Sequence, residues 1–423
     1  MTDAAEVRSP RLVALSQALA RSVPDALTAF WTEMRELGTP LVEPLLDAPE
    51  QALVTFLWRS TTPTSTVVVV GGLAGLDFAN QQMTHLPGTD LWYRTYRART
   101  DLRTTYRLSP NDALVPFERV DDWVAREATW QVDPLNRHPY PPDAPLTSSF
   151  ALAAAPPQPW IVARDGADCG TVAEHRVRSA HLGDERSVWV YTSPGYAPDG
   201  PPGDLLLTFD GWAYVHLMRA PTTLDNLRHA AALAPLVAVF IGNATGQRSR
   251  DLACHPPFIA FLVDELLPWA RERYRFTSDP ARTVVAGSSL GGLAATYAGL
   301  RRPDLFGNVL TQSGSFYWGP DTGQHYWGSD YGVEYEWLPR QFVAAPPLPL
   351  RFFMEVGLLE SLPRGVNSPT MVLANRHFRD ILVAKGYALR YAEFNGGHDY
   401  VCWQGSFADG LLALLGDTGG RGP

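Results

Sequence analysis

The sequence predicts an α/β protein of two domains, a small β-sandwich followed by a larger domain in which strands and helices alternate. Short runs rich in β-branched and aromatic residues fill residues 52–108, which is typical of a sandwich. From residue 187 onward, continuous apolar runs alternate with helical patterns, as in a parallel sheet covered by helices. Between one such strand and one such helix stands Ser289, flanked by glycines.

Length and composition agree with this division. At 423 residues the chain is long enough for two domains, and its 45% apolar residues can form a core for each. The net charge of −9 argues against nucleic acid or an anionic membrane as a partner. Three widely spaced cysteines, Cys169, Cys254 and Cys402, favour a reducing compartment. Residues 1–6 do not resemble a secretory leader and no stretch is apolar enough to span a bilayer, so we expect a cytoplasmic protein.

The N-terminal part begins with a helical pattern over residues 10–37, in which apolar residues recur on one face. Four β-rich runs follow, at residues 53–58, 66–70, 91–96 and 104–108. A proline-rich passage at 139–145 then marks the domain boundary. We therefore predict a β-sandwich domain with leading helices over 1–145 and a catalytic domain over 146–417.

In the second part we predict a parallel sheet. The strands are expected at residues 187–191, 205–209, 236–241, 283–286, 308–310, 350–356 and 389–394, and the clearest helices at 223–232, 290–300 and 368–385. Ligands of such sheets bind at the carboxyl ends of the strands. The residues that directly follow each strand are therefore the candidates for function.

The nucleophile is expected in the string from Gly287 to Gly291, which has the form G-x-S-x-G of a nucleophile elbow. An apolar run at 283–286 enters the turn and a helical pattern beginning at Leu290 leaves it. A Cβ at Gly287 or Gly291 is expected to collide with the neighbouring strand or helix. Ser289 is thus the predicted nucleophile.

A serine nucleophile needs a base and an acid that orients it. His398 follows the last predicted strand, which is the position that the elbow architecture gives to the histidine. Two glutamates stand near the end of the preceding strand, and we favour Glu360 over Glu355 because a loop residue reaches the histidine more easily than a residue inside a packed strand. Asp399 is badly aimed for the far ring nitrogen, and a serine–histidine dyad without an acid stays open.

The oxyanion hole needs two backbone N–H groups. One is expected from Leu290, the residue after the nucleophile. The other is expected from Trp212, in the turn after the strand at 205–209, where Gly211 permits a tight bend. Asp210 opens this turn, and a substrate-binding role and a plain turn role are equally open for it.

Further candidates follow other strands. Arg248 and Arg250 come after the strand at 236–241, close to Asp251, and arginine suits an anionic, planar ligand. An aromatic insert contains Tyr317, Trp318, Tyr326 and Trp327, for which core packing and pocket walls are equally open. No metal-binding spacing and no phosphate-binding glycine loop occurs, so no cofactor is expected.

Taken together, these strings resemble the enterochelin (ferric enterobactin) esterases. The resemblance is carried by residues 54–59, 86–92, 133–136, 186–191, 210–211, 224–227, 286–292, 312–315 and 396–403. It implies an immunoglobulin-like N-terminal domain on an α/β-hydrolase domain. It also implies hydrolysis of the serine esters of an iron-loaded catecholate siderophore in the cytoplasm, with Ser289 and His398 as catalytic residues and Arg248 on the substrate side.

The sequence departs from that family at Asn243 and Asp251, where the family often has aspartate and glutamate, and this leaves the identity of the substrate open. Two alternatives therefore remain. One is a feruloyl or acetyl esterase whose sandwich binds carbohydrate, and the other is a non-catalytic siderophore-binding protein. In each case the expected partner is a small molecule, and the oligomeric state stays open.

Overall fold

The computed structural model describes residues 9–75, 78–115, 120, 122–320, 334–362 and 368–416. The chain forms two units, the first reaching Pro156 and including Asn395–Val401, the second comprising Pro157–Phe394 and the chain from Cys402. The predicted boundary at 145/146 precedes this division because the strand Thr147–Ala151 pairs with Arg103–Pro110 of the sandwich. The segment 395–401 joins the first unit although it lies far along the chain.

The first unit is a sandwich of two antiparallel sheets. Its helices and strands are α1 (Pro10–Ala20), α2 (Ala26–Leu37), β1 (Leu41–Pro44), β2 (Gln51–Arg59), β3 (Val67–Val70), α3 (Phe78–Gln81), β4 (Thr84–His85), β5 (Leu91–Arg99), β6 (Arg103–Pro110), α4 (Trp123–Glu127), β7 (Pro139–Tyr140) and β8 (Thr147–Ala151). The sheets have the strand orders β1-β2-β5-β4 and β3-β6-β8-β7. The ring of Phe56 on β2 lies 4.5 Å from Tyr106 on β6 and 5.9 Å from Phe150 on β8, so aromatic side chains of both sheets fill the core.

The leading helices expected over residues 10–37 are two, α1 and α2, and the apolar pattern does not locate the break between them. Between them, Ser22 and Asp25 have φ angles of 53° and 57°, which no α-helix contains, and Pro24 lacks an amide hydrogen for helical bonding. Both helices bury apolar side chains, including Leu12 and Trp31, in a cluster with strand residues of the first sheet. The apolar spacing predicted most of the buried face, but Val23, which the spacing puts on that face, lies in the break and is exposed.

The second unit is built on one eight-stranded sheet. Its elements are β9 (Thr171–Ser179), β10 (Asp184–Thr192), β11 (Asp204–Thr208), α5 (Ala220–His229), β12 (Leu236–Ile241), α6 (Arg248–Leu252), α7 (Pro256–Ala260), α8 (Leu267–Arg271), β13 (Thr283–Ser288), α9 (Leu290–Arg301), β14 (Asn308–Gln312), α10 (Trp337–Ala344), β15 (Arg351–Gly357), α11 (Met371–Ala384), β16 (Ala388–Phe394) and α12 (Tyr400–Leu415). Short π-helical turns occupy Ala213–Leu217 and Phe261–Leu266.

The strand order of this sheet is β16-β15-β14-β13-β11-β12-β10-β9. The six strands from β11 to β16 are parallel, as predicted. The expectation that the run at 187–191 belongs to the parallel set was wrong, because β10 pairs antiparallel with both β12 and β9 at one edge of the sheet. Strand β9 was not predicted because most of its residues are exposed and it has no continuous apolar run. None of the helices in the described part of the chain combines the length and the apolar character needed to cross a membrane.

Candidate active site

The predicted elbow is a tight turn between β13 and α9. Ser289 has φ 58° and ψ −124° and directly precedes the first residue of the helix. A positive φ is costly for a residue with a side chain, and such strain is typical of functional turns. The backbone on either side is fixed, because Ser289 N–H donates to Gln312 O at 3.0 Å and Ser315 N–H donates to Ser289 O at 3.0 Å.

The glycines around Ser289 serve different purposes. A Cβ on Gly287 would lie 2.3 Å from the backbone of Gly291, so only glycine fits there. At Gly291 a Cβ would meet Asp210 Oδ2 at 3.4 Å, which is an ordinary contact, and the collision expected at this position does not occur. The close approach falls instead at Gly292, where a Cβ would lie 2.4 Å from Thr311 Oγ1. The expectation for Gly291 was therefore wrong by one residue.

A second serine lies beside the predicted nucleophile. The hydroxyl of Ser315 is 3.5 Å from that of Ser289, and both side chains are buried. Sequence reasoning did not single out Ser315, although it belongs to the string 312–315 on which the family resemblance partly rests. Its position in the loop three residues after the end of β14 was the signal that could have found it.

The two glutamates near the end of β15 have different surroundings. Glu360 is in the loop, where its Oε1 accepts hydrogen bonds from Ser313 Oγ at 2.6 Å and from Gly357 N–H at 2.9 Å. Trp403 Nε1–H donates to the same Ser313 hydroxyl at 3.1 Å. Glu360 is therefore a buried carboxyl held by a hydroxyl and a backbone N–H at the carboxyl end of the parallel strands.

Glu355 lies inside β15 and is enclosed by other side chains. It accepts hydrogen bonds from Gln312 Nε2 at 2.9 Å and from the hydroxyl of Ser406. Burial raises the pKa of Glu355 to about 8, so its carboxyl is protonated at neutral pH. A neutral, enclosed carboxyl has the character of a core residue, in keeping with the preference for Glu360.

His398 is in the segment 395–401 of the first unit, between β16 and α12, and it is exposed. The adjacent Asp399 is turned toward β6, where its Oδ2 accepts from both the N–H and the hydroxyl of Thr105, each at 2.6 Å. Asn395 Nδ2 donates to Asp101 Oδ1 at 2.6 Å in the same unit. The carboxylate of Asp399 is thus engaged by the strand rather than by a histidine ring nitrogen.

The two predicted oxyanion donors both stand at the beginning of helical turns. Leu290 is the first residue of α9, and Trp212 directly precedes the π-helical turn at Ala213–Leu217. The first N–H groups of a helix have no acceptor within the helix, which makes them suitable donors for an anion. Asp210, two residues before Trp212, is buried, and its φ is 54°.

The predicted substrate-binding arginines are both in ion pairs. Arg248 donates from Nε and Nη2 to the two carboxylate oxygens of Asp210, at 2.6 and 2.7 Å. Arg250 pairs with Asp251 at 2.8 Å, and its side chain is 43% exposed. Asp251 is also bound by Arg186 at 3.1 Å, a guanidinium that is almost wholly buried. Arg248 and Arg250 both follow β12, as predicted, and each is anchored by a buried carboxylate.

Two aromatic residues of the insert, Tyr317 and Trp318, lie in the described part of the chain, and both have packing roles. Tyr317 is buried in the main core of the second unit, and Trp318 packs edge-on against Trp337 with ring centroids 6.0 Å apart. Tyr326 and Trp327 lie outside the described residues.

The strand–turn–helix at Ser289 on a largely parallel sheet defines the class of protein, an esterase of the α/β-hydrolase type. A family model described as "Putative esterase" matches residues 179–414, and one described as "Enterochelin esterase, N-terminal" matches residues 53–161. The chain belongs to the enterobactin esterase family, since the matches below extend over nearly its whole length.

Among its relatives, the iron(III) enterobactin esterase of Dickeya dadantii is 30% identical, with 92% of each chain covered. The iron(III) salmochelin esterase of Escherichia coli O6:H1 is 28% identical, with 92% of this chain and 94% of the relative covered. The crystal structure of the enterobactin esterase of Shigella flexneri, in the presence of 2,3-dihydroxy-N-benzoyl-serine, matches with a TM-score of 0.71 and 28% identity over 91% of this chain and 97% of that one. The predicted family, fold class and ester hydrolase activity are thereby confirmed.

Proposed function

We propose that this esterase cleaves the serine ester bonds of an iron-loaded catecholate siderophore of the enterobactin type and so releases the iron. The observation that carries the proposal is the strained turn at Ser289, in a chain similar over both units to proteins named iron(III) enterobactin esterases. The siderophore is the substrate, and no cofactor takes part in the proposed reaction.

In the proposed mechanism, Ser289 Oγ attacks the ester carbonyl carbon while His398 takes the hydroxyl proton. The N–H groups of Leu290 and Trp212 stabilise the negative oxygen of the tetrahedral intermediate. Collapse of the intermediate breaks the ester bond, and His398 returns the proton to the departing serine hydroxyl of the siderophore. Water then attacks the acyl-enzyme by the same route in reverse and restores Ser289.

We assign the orienting acid to Glu360. Its loop position at the carboxyl end of β15 and its hydrogen bonds from Ser313 and Gly357 favour a fixed, buried carboxyl outside the packed strand. Glu355 is disfavoured because it is protonated and enclosed, and a protonated acid accepts a histidine N–H poorly. Asp399 is disfavoured because Thr105 occupies its carboxylate.

Binding of the iron complex must rest on local charge. A ferric tris-catecholate is a compact trianion, whereas this chain carries a net charge of −9, so long-range attraction is unfavourable. Arg248 and Arg250 bring two guanidinium groups to the loop after β12, and guanidinium donates paired hydrogen bonds to catecholate oxygens. We propose that these two arginines, with Asp210 as the anchor of Arg248, form the substrate side of the site.

We also place the reaction in the cytoplasm. Cys169, Cys254 and Cys402 form no disulfide within the described residues, and Cys169 is exposed, which suits a reducing compartment.

The test is to incubate the purified protein with ferric enterobactin, iron-free enterobactin, bacillibactin and a feruloyl ester, and to identify products by mass spectrometry. Linear fragments and 2,3-dihydroxy-N-benzoyl-serine from the first substrate are expected. Cleavage of the feruloyl ester with the siderophores left intact would favour the carbohydrate-ester alternative. Tight binding of ferric enterobactin without cleavage would favour a non-catalytic siderophore-binding protein.

A further inference from the structure

The turn after β11 has a backbone that is demanding to build. Asp210 is 5% exposed and has a φ of 54°, in the left-handed region that residues with side chains avoid. Gly211 follows, and a Cβ there would lie 2.6 Å from the carbonyl carbon of Phe240 on β12. The peptide that leads to Trp212 is therefore pressed against the neighbouring strand in a conformation that needs external support.

That support comes from the side chain of Asp210. Its Oδ1 accepts from Arg248 Nε at 2.6 Å and from Asn243 Nδ2 at 2.6 Å, and its Oδ2 accepts from Arg248 Nη2 at 2.7 Å. Both donors follow β12, the strand beside β11. A paired guanidinium–carboxylate contact fixes direction as well as distance, because the two hydrogen bonds are parallel and coplanar.

Asp210 also links this turn to the serine turn. Its Oδ2 lies 3.4 Å from the position of a Cβ on Gly291, which is the residue after Leu290. Its backbone carbonyl accepts from the N–H groups of Ala213, at 2.8 Å, and Tyr214, at 3.2 Å, and thereby orders the turn that contains Trp212. One buried residue thus hydrogen-bonds to the segment that carries Trp212 and lies beside the segment that carries Leu290.

We propose that Asp210, held by Arg248 and Asn243, is a positioning residue that fixes the Trp212 N–H in the oxyanion hole. This inference rests on the proposed function, and it gives Asp210 a role other than substrate contact. The negative oxygen exists only after attack on the carbonyl, so a displaced donor weakens the transition state and leaves substrate binding unchanged. A loss confined to kcat is the signature of this role.

The second unit offers a matched control at the other end of the same strand. Asp204, the first residue of β11, is also buried and pairs with an arginine, Arg282, that lies farther along the chain. If ion pairs of this kind only stabilise the sheet, Asp204→Asn and Asp210→Asn should affect the enzyme alike. Asparagine is a suitable replacement at position 210 because it tolerates a positive φ better than other residues.

The experiment measures kcat, KM and the thermal midpoint of the full-length protein with p-nitrophenyl acetate, a small neutral ester. Asp210→Asn should lower kcat by about 10- to 100-fold. The upper value is the loss expected when a catalytic group is misplaced by about 1 Å. Complete removal of an oxyanion donor costs more, about 100- to 1,000-fold. KM should stay near the wild-type value. Asn243→Ala should lower kcat in the same way by a smaller factor, and Asp204→Asn should lower the thermal midpoint while kcat stays at the wild-type level.

Wild-type kcat in folded Asp210→Asn would overturn the proposal, as would an equal loss of kcat in Asp204→Asn. If Asp210→Asn does not fold, Asn243→Ala decides, because Asn243 is exposed and its removal leaves the Arg248 pair in place. The proposed function fails separately, by absence of siderophore cleavage in the wild-type protein. A further arm separates the two roles proposed for Arg248. As a substrate contact it should make Arg248→Ala lose more kcat/KM on ferric enterobactin than on p-nitrophenyl acetate, and as the partner of Asp210 it should make the variant lose kcat on p-nitrophenyl acetate as well. Wild-type kcat of Arg248→Ala on p-nitrophenyl acetate would contradict the positioning role.

Discussion

Two turns at the carboxyl ends of neighbouring parallel strands make a useful comparison, the turn of Asp210 after β11 and the turn of Ser289 after β13. Each holds a residue with a side chain at positive φ, 54° and 58°. The serine turn has hydrogen bonds to Gln312 and Ser315, and in addition a close contact within itself, where Gly287 lies against the backbone of Gly291. The aspartate turn is fixed by a side chain 38 positions farther along, that of Arg248.

This difference in the contacts of the two turns explains why only the serine turn has a recognisable sequence motif. A turn held by its own glycines leaves a local pattern in the sequence, because only residues without a Cβ fit at fixed spacings. A turn held by a distant ion pair leaves only an aspartate and, much later, an arginine. The turn at Ser289 could therefore be predicted from the sequence, whereas the Asp210–Arg248 pair was seen only in the structure.

The largest effect is expected from removing the chemistry of the serine turn while its backbone is kept. Ser289→Ala should lower kcat for ester hydrolysis by about a million-fold, as expected for loss of an activated nucleophile, and leave binding of the iron complex unchanged. Ser288→Ala, which removes the neighbouring buried hydroxyl at the end of β13, is the control and should retain activity. Near-normal turnover in Ser289→Ala would mean that the nucleophile lies elsewhere.

The next largest effect is expected when Glu360, in the loop after β15, and Glu355, inside β15, are each replaced by glutamine. Glu360→Gln should lower kcat by about 10⁴-fold, the loss expected when the orienting acid can no longer hold the correct tautomer. Glu355→Gln should keep most of the activity, because a carboxyl with a pKa of about 8 is already neutral at pH 7. Turnover of p-nitrophenyl acetate measures both. Retained activity in both variants would point to a dyad.

The apolar pattern of the sequence predicted some strands and helices and missed others. Most of the parallel strands from β11 to β16 were predicted because they contain continuous apolar runs, and Ser289 and His398 became candidates because they follow predicted strands. Strand β16 is mixed in composition, with Arg390 and Glu393 among its residues. The edge strand β9 and the break between α1 and α2 were missed, since exposed strands and short interruptions hardly alter the apolar pattern.

The polar contacts of the site were beyond prediction for a different reason. Ser313 meets Glu360 across 47 positions, and Thr105 meets Asp399 across 294. Such pairs depend on the path of the chain between them, and neither residue type nor local spacing specifies a partner. The preference for Glu360 stays a prediction; the structure places it in the loop after β15, as expected, and its hydrogen bond to Ser313 was not foreseen.

A third substitution tests whether the serine turn is indeed held by its glycines. Gly287→Ala should destabilise the protein by about 1–3 kcal/mol or more, because its Cβ would overlap the backbone of Gly291 at 2.3 Å. Gly291→Ala, in the same motif, should be close to neutral, since its Cβ meets an ordinary contact and alanine favours a helix by roughly 0.5–1 kcal/mol. The measurement is the thermal midpoint of each variant, which should be lower for Gly287→Ala than for Gly291→Ala. Equal midpoints would show that the motif is not kept by this contact.

The smallest effect concerns Arg250, which lies at the exposed side of the loop after β12. Its removal should leave the fold intact, because Asp251 keeps its bond to the buried Arg186. The guanidinium is 43% exposed, so its attraction for a trianionic iron complex is screened by water, and Arg250→Ala should weaken binding by about 1 kcal/mol or less. Fluorescence titration with ferric enterobactin measures this change. The control is Arg178→Ala, which removes an equal charge from the edge strand β9, where Arg178 pairs with Glu185. An equal loss of affinity in Arg178→Ala would assign the effect to net charge. An equal loss of kcat/KM by Arg250→Ala on p-nitrophenyl acetate would show that Arg250 supports the loop. Either result would contradict a place for Arg250 on the substrate side of the site.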